Sequence, residues 1–234
     1  MAILGIIQAR IDSSRMDKKM VSMLGGYRIL DWVIARTKKS KLIDNLIIAT
    51  STDDCDDIIV DIANEHKLPI YRGNKNNVLD RFVNTAKNFK GDTIVRICAD
   101  NPFIYYKEID ELIDFFKKNH CDLAFNHKPI LNSKIADGFG AEIFSSKLLR
   151  NIQTKKLSDR QNEHVTKYIW DNQNKFNIRF PDINKNLAYP NLKFDIDTNE
   201  DLKKFNNFVA KNSINFQTSS SNIVKLYKKE YLDK

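Results

Sequence analysis

Short, unbroken apolar runs recur along this chain, and most are followed by a stretch whose apolar residues repeat with helical spacing. The runs are ILGII (3–7), NLIIAT (45–50), LPIYR (68–72), DTIVRICAD (92–100) and CDLAFN (121–126). A strand apolar on both faces must be covered on both faces, as in parallel sheets whose crossovers are helices. Between the runs, YRILDWVIARTKK (27–39) sets Ile29, Leu30, Val33, Ile34 and Thr37 on one helical stripe. The next helical stretch puts Ile58, Ile59, Ile62 and Ala63 on one face, with Asp53 or Asp54 available as its cap. NNVLDRFVNTAKNF (76–89) and KEIDELIDFFKKN (107–119) continue the series. This alternation predicts an α/β fold with a doubly wound, mostly parallel sheet.

After residue 127 the pattern loosens. Turn signals surround Gly138 and Gly140, AEIF (141–144) reads as a strand, and helical spacing returns over 145–153 and 162–172. FNIRF (176–180) alternates like an exposed strand and LKFDID (192–197) reads as another. A capped helix over 198–212 and a last helix over 221–232 close the chain. There is no internal repeat and no Gly/Ser-rich linker, so the 234 residues read as one domain, 1–234, carrying an inserted arm near 128–190.

A hydrophobic fraction of 42% excludes a largely disordered chain, and no apolar run approaches the roughly 20 residues of a membrane span. The start, MAILGIIQAR, has neither a basic lead nor a small-residue cleavage site, which predicts a cytoplasmic protein without a signal peptide. Cys55, Cys98 and Cys121 are odd in number and lack CxxC spacing, so buried free thiols are expected rather than a disulfide framework or a structural zinc site. The net charge of +8 suits a polyanionic partner without naming one.

Two groups of residues carry chemistry. The first is QARIDSSRMDKK (8–19), directly after the first strand and within an unusually long connection to the first helix. Ligands of doubly wound sheets bind at such carboxyl-terminal loops. The stretch has no glycine and no Walker or dinucleotide spacing, and Gly25-Gly26 comes too late to supply one. Arg10 and Arg15 can present planar forks to phosphate oxygens and Lys19 a point charge; a plain solvated basic loop is the alternative. The second group is acidic. Asp100 ends one strand, while Asp195 and Asp197 lie two residues apart in FDIDT, on one strand face. Brought together, these carboxylates suit Mg²⁺, which takes one or two carboxylates plus substrate phosphates. Asp100 and Asp197 read equally as helix caps.

QARIDSSRMDKK, RGNKNNVLDRF, VRICADNPF, DGFGAEIF, NEHVTKYI and FDIDTNEDL occur in an order that resembles the cytidylyltransferases making CMP-activated sugar acids. That family includes the CMP-ketodeoxyoctonate and CMP-acylneuraminate synthetases, and these motifs most resemble its spore-coat-polysaccharide type. The resemblance runs from residue 6 to about 205. It implies a nucleotide-diphospho-sugar-transferase-like three-layer sandwich, CTP as co-substrate and Mg²⁺ as cofactor. It further implies a small acidic acceptor and a homodimer made through the arm, with no nucleic-acid or membrane partner. By position, Gln8, Ala9, Arg10, Ser13, Arg15 and Lys19 match the triphosphate-binding motif. Asp100 and Asp197 match the metal ligands, with Asp195 as helper, and Arg10, Lys19, Asp100 and Asp197 form the implied catalytic set. Arg72, Asn77, Asp80 and Arg81 fall in the nucleoside-holding segment. Asp137, Glu142, Glu163 and His164 fall where an acceptor is recognised, though Glu142 also reads as a strand residue and His164 as a packing histidine. Two positions depart from the family pattern. Met16-Asp17-Lys18 replaces Leu-Pro-Gly, and Cys98 stands where the acid synthetases carry glutamine. The competing readings are a nucleotidyltransferase for a phosphorylated sugar, polyol or small acid, a basic nucleic-acid-binding protein, and a catalytically silent nucleotide-binding scaffold.

Overall fold

A computed structural model describes residues 2–12 and 16–233. In chain order, β1 (Ile3–Gln8) leads through a helical turn (Lys19–Val21) and a small hairpin, β2 (Met23–Leu24) and β3 (Tyr27–Arg28), into α1 (Ile29–Thr37). Then follow β4 (Asn45–Ser51), α2 (Asp57–Glu65), β5 (Ile70–Gly73), α3 (Val78–Asn88), β6 (Thr93–Cys98), α4 (Tyr106–Lys118) and β7 (Leu123–Phe125). The remainder is β8 (Glu142–Ser145), α5 (Ser146–Gln153), α6 (Asp159–Glu163), α7 (Lys167–Asp171), β9 (Ile178–Arg179), α8 (Asn199–Lys211) and α9 (Ser220–Tyr231).

Seven strands form one sheet in the order β5-β4-β1-β6-β8-β7-β9. The ladders β5–β4, β4–β1, β1–β6 and β7–β9 are parallel, and β8 is antiparallel to both of its neighbours. The doubly wound expectation holds. The segment read as an arm is tied into this sheet by β8 and β9. Ile7, Val95 and Ile97 face α1, α2 and α4 in one apolar layer, whereas Ile6, Ile47 and Ile94 face α3 and α5 in the other. An aromatic third cluster, with Trp32, Phe103, Phe139, Phe194, Phe205, Phe208 and Tyr227, seats α8 and α9 beside the sheet.

Several local expectations change. Residues 192–197 form no strand: a single bridge pairs Lys193 with Asp137, and the segment is held by bonds to two separate loops. Its neighbours are irregular chain, so no ladder can extend. Helix 162–172 is two short helices, because His164 is extended and Val165 is buried in the core. Strand 176–180 shrinks to two residues, and Tyr27–Arg28 belongs to a hairpin rather than to α1. Ile58 lies on the exposed side of α2, since Ile59, Ile62 and Ala63 already fill the stripe facing the sheet. The cysteines are unpaired as expected, but Cys55 is exposed and the other two are half-buried. No described helix is long and apolar enough to cross a membrane.

One buried acid ties the third cluster to the sheet. Glu108 of α4 accepts a 2.6 Å hydrogen bond from the Ser220 hydroxyl at the start of α9. Burial pushes its carboxyl up to about 7, despite the opposing pull of that hydrogen bond. Between pH 4.5 and 7 the folded protein therefore holds a proton that the unfolded chain releases, so Glu108 makes stability fall as pH rises through this window. Glu108→Gln should raise the thermal midpoint at pH 8 by several degrees, a stabilisation of up to about 3 kcal/mol. At pH 5 it should change little. Equal shifts at both pH values would contradict this.

Candidate active site

The site forms where parallel strands β1 and β6 end side by side, in register Gln8 to Cys98. Arg96 and Cys98 alternate on one face of β6, and with Asp100 just beyond the strand they line a cleft of about 470 Å³. Gln8, Arg10, Asp12, Lys19, Met20, Glu163 and His164 complete its walls. A neighbouring hollow of about 680 Å³ shares Arg10, Asp12 and Glu163 and adds Asn74, Lys75, Asn76 and Asn77. Together they make an open groove with polar walls.

Asp197 reaches this site through a backbone bond, not a strand ladder. The Ile196 N–H donates to the Asp100 carbonyl at 3.0 Å, pinning the late segment against the end of β6. Thr198 then caps α8 in a reciprocal pair with Asp201, which fixes the turn immediately after Asp197. Lys19, 4% exposed, enters from the helical turn after the first loop. Its Nζ lies 3.1 Å from Asp197 Oδ1 and 3.6 Å from Asp100 Oδ2. Lys193 Nζ lies 3.0 Å from the other oxygen of Asp197 and 2.9 Å from Asp195 Oδ2. Burial would raise the Asp197 carboxyl, but hydrogen bonds from Lys193 and Lys19 outweigh it and hold it at about 2. Asp137 faces Asp195; burial and then the Asp195 charge push Asp137 up to about 7.

Lys19 is presented by unusual backbone. Lys18 has φ 51°, the left-handed region, at the position where the resembling family carries glycine. Holding a side chain there costs about 1–2 kcal/mol. Met16, buried in the aromatic cluster, anchors the same turn.

Glu142 sits at the centre of the floor, opposite Arg96 across the β6–β8 ladder. Its oxygens receive Arg96 Nη1 at 2.9 Å, the Thr166 hydroxyl at 2.9 Å and Trp170 Nε1 at 3.1 Å. His127 and Lys128 stand 3.9 and 3.7 Å away. Burial opposes the charged form, yet Arg96, His127, Lys128 and Thr166 together hold the carboxyl well below the usual carboxylate range. Burial drives His127 the other way, down to about 3, so it is neutral. The Glu142 side chain has no exposed surface. It serves the cleft by holding Arg96, whose Nε donates to Gln8 Oε1 at 3.2 Å, and not by touching a ligand.

The other expected residues divide clearly. Arg10 pairs with Glu163 at 3.5 Å across the mouth, and His164 lines the wall beside them. Ala9 is buried, its N–H bonded to Ala49 O at 3.3 Å. Asn77 caps α3 by accepting from the Asp80 N–H at 2.8 Å, and Asp80 accepts from Gln153 of α5 at 2.8 Å. Arg72 clasps Ser51 O, Asp53 O and Asp57 behind the groove. Arg81 is buried beneath it with Nε and Nη2 unpartnered, and burial, then the Arg10 charge, lowers it to about 10. Ser13 and Arg15 lie outside the described residues.

Four contributors escaped the sequence reading. Arg96 could have been found two and four residues before Cys98 and Asp100, and Lys193 by the same spacing before Asp195 and Asp197. Asp56, which accepts the Ile11 N–H at 2.7 Å, and Lys75, which joins Asp12 to Asp53 at 2.8 Å each, gave no local signal.

The fold and cleft define an α/β protein whose cations and carboxylates meet at the carboxyl end of a mostly parallel sheet. The cytidylyltransferase family profile matches residues 4–234, and the chain belongs to that family. It is 32% identical over 229 residues to the spore coat polysaccharide biosynthesis protein SpsF of Bacillus subtilis, covering 96% of this chain and 93% of that one. A 3-deoxy-manno-octulosonate cytidylyltransferase of Fusobacterium nucleatum is 34% identical over 120 residues, covering 51% of this chain and 48% of that protein. A cytidylyltransferase structure from Leptospira borgpetersenii superposes with a TM-score of 0.90 at 27% identity, covering 98% of this chain and 95% of that one.

Proposed function

We propose that this protein transfers CMP from CTP to an acidic sugar, releasing pyrophosphate, in surface-glycan biosynthesis in the cytoplasm. The observation that carries the reading is the convergence of Lys19, Asp100 and Asp197, from three distant parts of the chain, on one point of the cleft. In the step, an acceptor oxygen attacks the α-phosphorus and the α–β bridging oxygen leaves with pyrophosphate. The chemistry asks the protein for position and charge rather than for a covalent intermediate. Arg10 and Lys19 offset negative charge building on the leaving phosphates, and Ser13 and Arg15 belong to the same grip. Arg96, fixed by Glu142 and Gln8, presents a cation to the deeper part of the cleft. Asn77, Asp80, Arg72 and Arg81 shape and support the wall on the nucleoside side. Asp137, Glu163 and His164 are the acceptor-side candidates.

Mg²⁺ is part of this reading. Asp100 and Asp197 supply hard oxygen donors facing one point, and among the described residues no group of three or more His, Cys, Asp or Glu forms a cage. That donor set fits Mg²⁺, which completes its shell with water and substrate phosphates. Asp100 and Asp197 would hold the ion, with Asp195 beside them; when bound it supplies charge neutralisation to the phosphates. The reading includes a homodimer formed through 128–190, supported by the resemblance.

The test is release of pyrophosphate from each nucleoside triphosphate with Mg²⁺ and a panel of acidic and phosphorylated sugars, with mass spectrometry of the conjugate. CTP with an acidic sugar should give a CMP conjugate, and EDTA should abolish it. Turnover confined to phosphorylated acceptors would replace the acceptor class, and absence of turnover with every pair would end the enzymatic reading. A monomer in sedimentation at micromolar concentration would remove the dimer.

A further inference from the structure

Both oxygens of Asp197 carry an ammonium group. Lys19 takes Oδ1 at 3.1 Å and reaches Asp100 at 3.6 Å, while Lys193 takes Oδ2 at 3.0 Å and reaches Asp195 at 2.9 Å. Two monocations bring the same charge as one divalent cation, and they stand on the carboxylates assigned above to the metal. An ion bonded to a carboxylate oxygen at about 2.0–2.1 Å cannot share that oxygen with an ammonium on the same side without strong repulsion. Metal entry therefore has to displace at least one lysine.

The two lysines are not equivalent. Lys19 is wedged at 4% exposure and lines the cleft, so an arriving triphosphate offers it a new partner. The Lys193 side chain is 56% exposed, and it can let go of Asp197 while keeping Asp195. Lys193, Asp195 and Asp197 alternate along an extended segment, so one side of that segment carries the ligand, its neighbour and its internal counter-ion.

We infer that Lys193 competes with the divalent cation at Asp197: it keeps the carboxylate oriented before the metal arrives and weakens metal binding to the nucleotide-free protein, so that metal and nucleotide enter together. The inference rests on the proposed reading of Asp100 and Asp197 as metal carboxylates.

The experiment is a titration of the full chain with Mn²⁺ alone, without nucleotide, following free Mn²⁺ by electron paramagnetic resonance. Lys193→Met should bind Mn²⁺ about five- to tenfold more tightly than the natural protein, the effect of removing one half-exposed competing charge. Lys193→Arg, which keeps the charge, should stay within about twofold of the natural protein on the same scale. With CTP present the advantage of Lys193→Met should shrink, because the nucleotide's phosphates then supply ligands to the metal themselves. Unchanged or weaker Mn²⁺ binding by Lys193→Met, at a matched melting temperature, would overturn the competition. Tight binding that survives in Lys193→Met/Asp197→Asn would overturn the metal assignment beneath it, which separates the two failures.

Discussion

Lys19→Met is expected to lower CTP-dependent pyrophosphate release by about 10²–10³-fold, the cost of losing a preorganised charge aimed at a developing anion. The substitution keeps most of the apolar stem that fills the wall and removes only the ammonium between Asp197 and Asp100. Before substrate binds, that ammonium holds two carboxylates together. On the proposed reading it is, during transfer, the cation placed to follow charge onto the leaving phosphates. The loss should appear mainly in kcat, because an interaction that strengthens as charge builds contributes most in the transition state. Arg10→Ala should act in the same direction but spread its effect into KM, since Arg10 pairs with Glu163 at the half-exposed mouth. Near-normal kcat for Lys19→Met would remove Lys19 from the reaction and leave it a structural counter-ion.

The frame of this site was legible because its strands are apolar on both faces and end in charged residues. Unbroken apolar runs and helical spacing placed β1, β4, β6 and their covering helices, and the end of β1 led directly to Arg10 and Lys19. Motif order gave Asp100 and Asp197. What local pattern could not give was the means of convergence. Residues 192–197 look like a strand because they alternate, yet Asp197 arrives by one backbone bond from Ile196 to Asp100 and by the cap at Thr198. Whether an alternating segment pairs depends on what lies beside it, which is long-range information. Lys18 shows the reverse case. The missing glycine was visible in the sequence, and the left-handed φ of 51° shows that the turn keeps a glycine-like shape while a lysine bears the strain. Ile58 falls outside the buried stripe because it lies at the edge of the apolar face and Ile59, Ile62 and Ala63 already fill the side toward the sheet.

Glu142→Gln should destabilise the protein by about 3–5 kcal/mol, the usual result of removing one partner from a buried ion pair, and lower the thermal midpoint by roughly 10 °C. The amide is nearly the same shape and its oxygen can still accept from Thr166 or Trp170, so the loss is one of charge rather than of packing. Arg96 would keep a full charge beneath the cleft with no carboxylate opposite it, and Lys128 would lose the same counter-ion. Adding Arg96→Met to Glu142→Gln should recover a large part of the stability, since an uncharged pair replaces an orphaned cation. The double variant should remain poor in turnover, because the cation facing the cleft is gone. Acid behaviour provides the sign. The folded Glu142 carboxyl lies below its unfolded value, so its contribution is complete above the unfolded range and fades as pH falls toward the lower folded value. The natural protein should therefore lose stability more steeply on acidification than Glu142→Gln does. Equal midpoints at neutral pH, or parallel acid profiles, would mean that the hydrogen bonds to Glu142 matter and its charge does not.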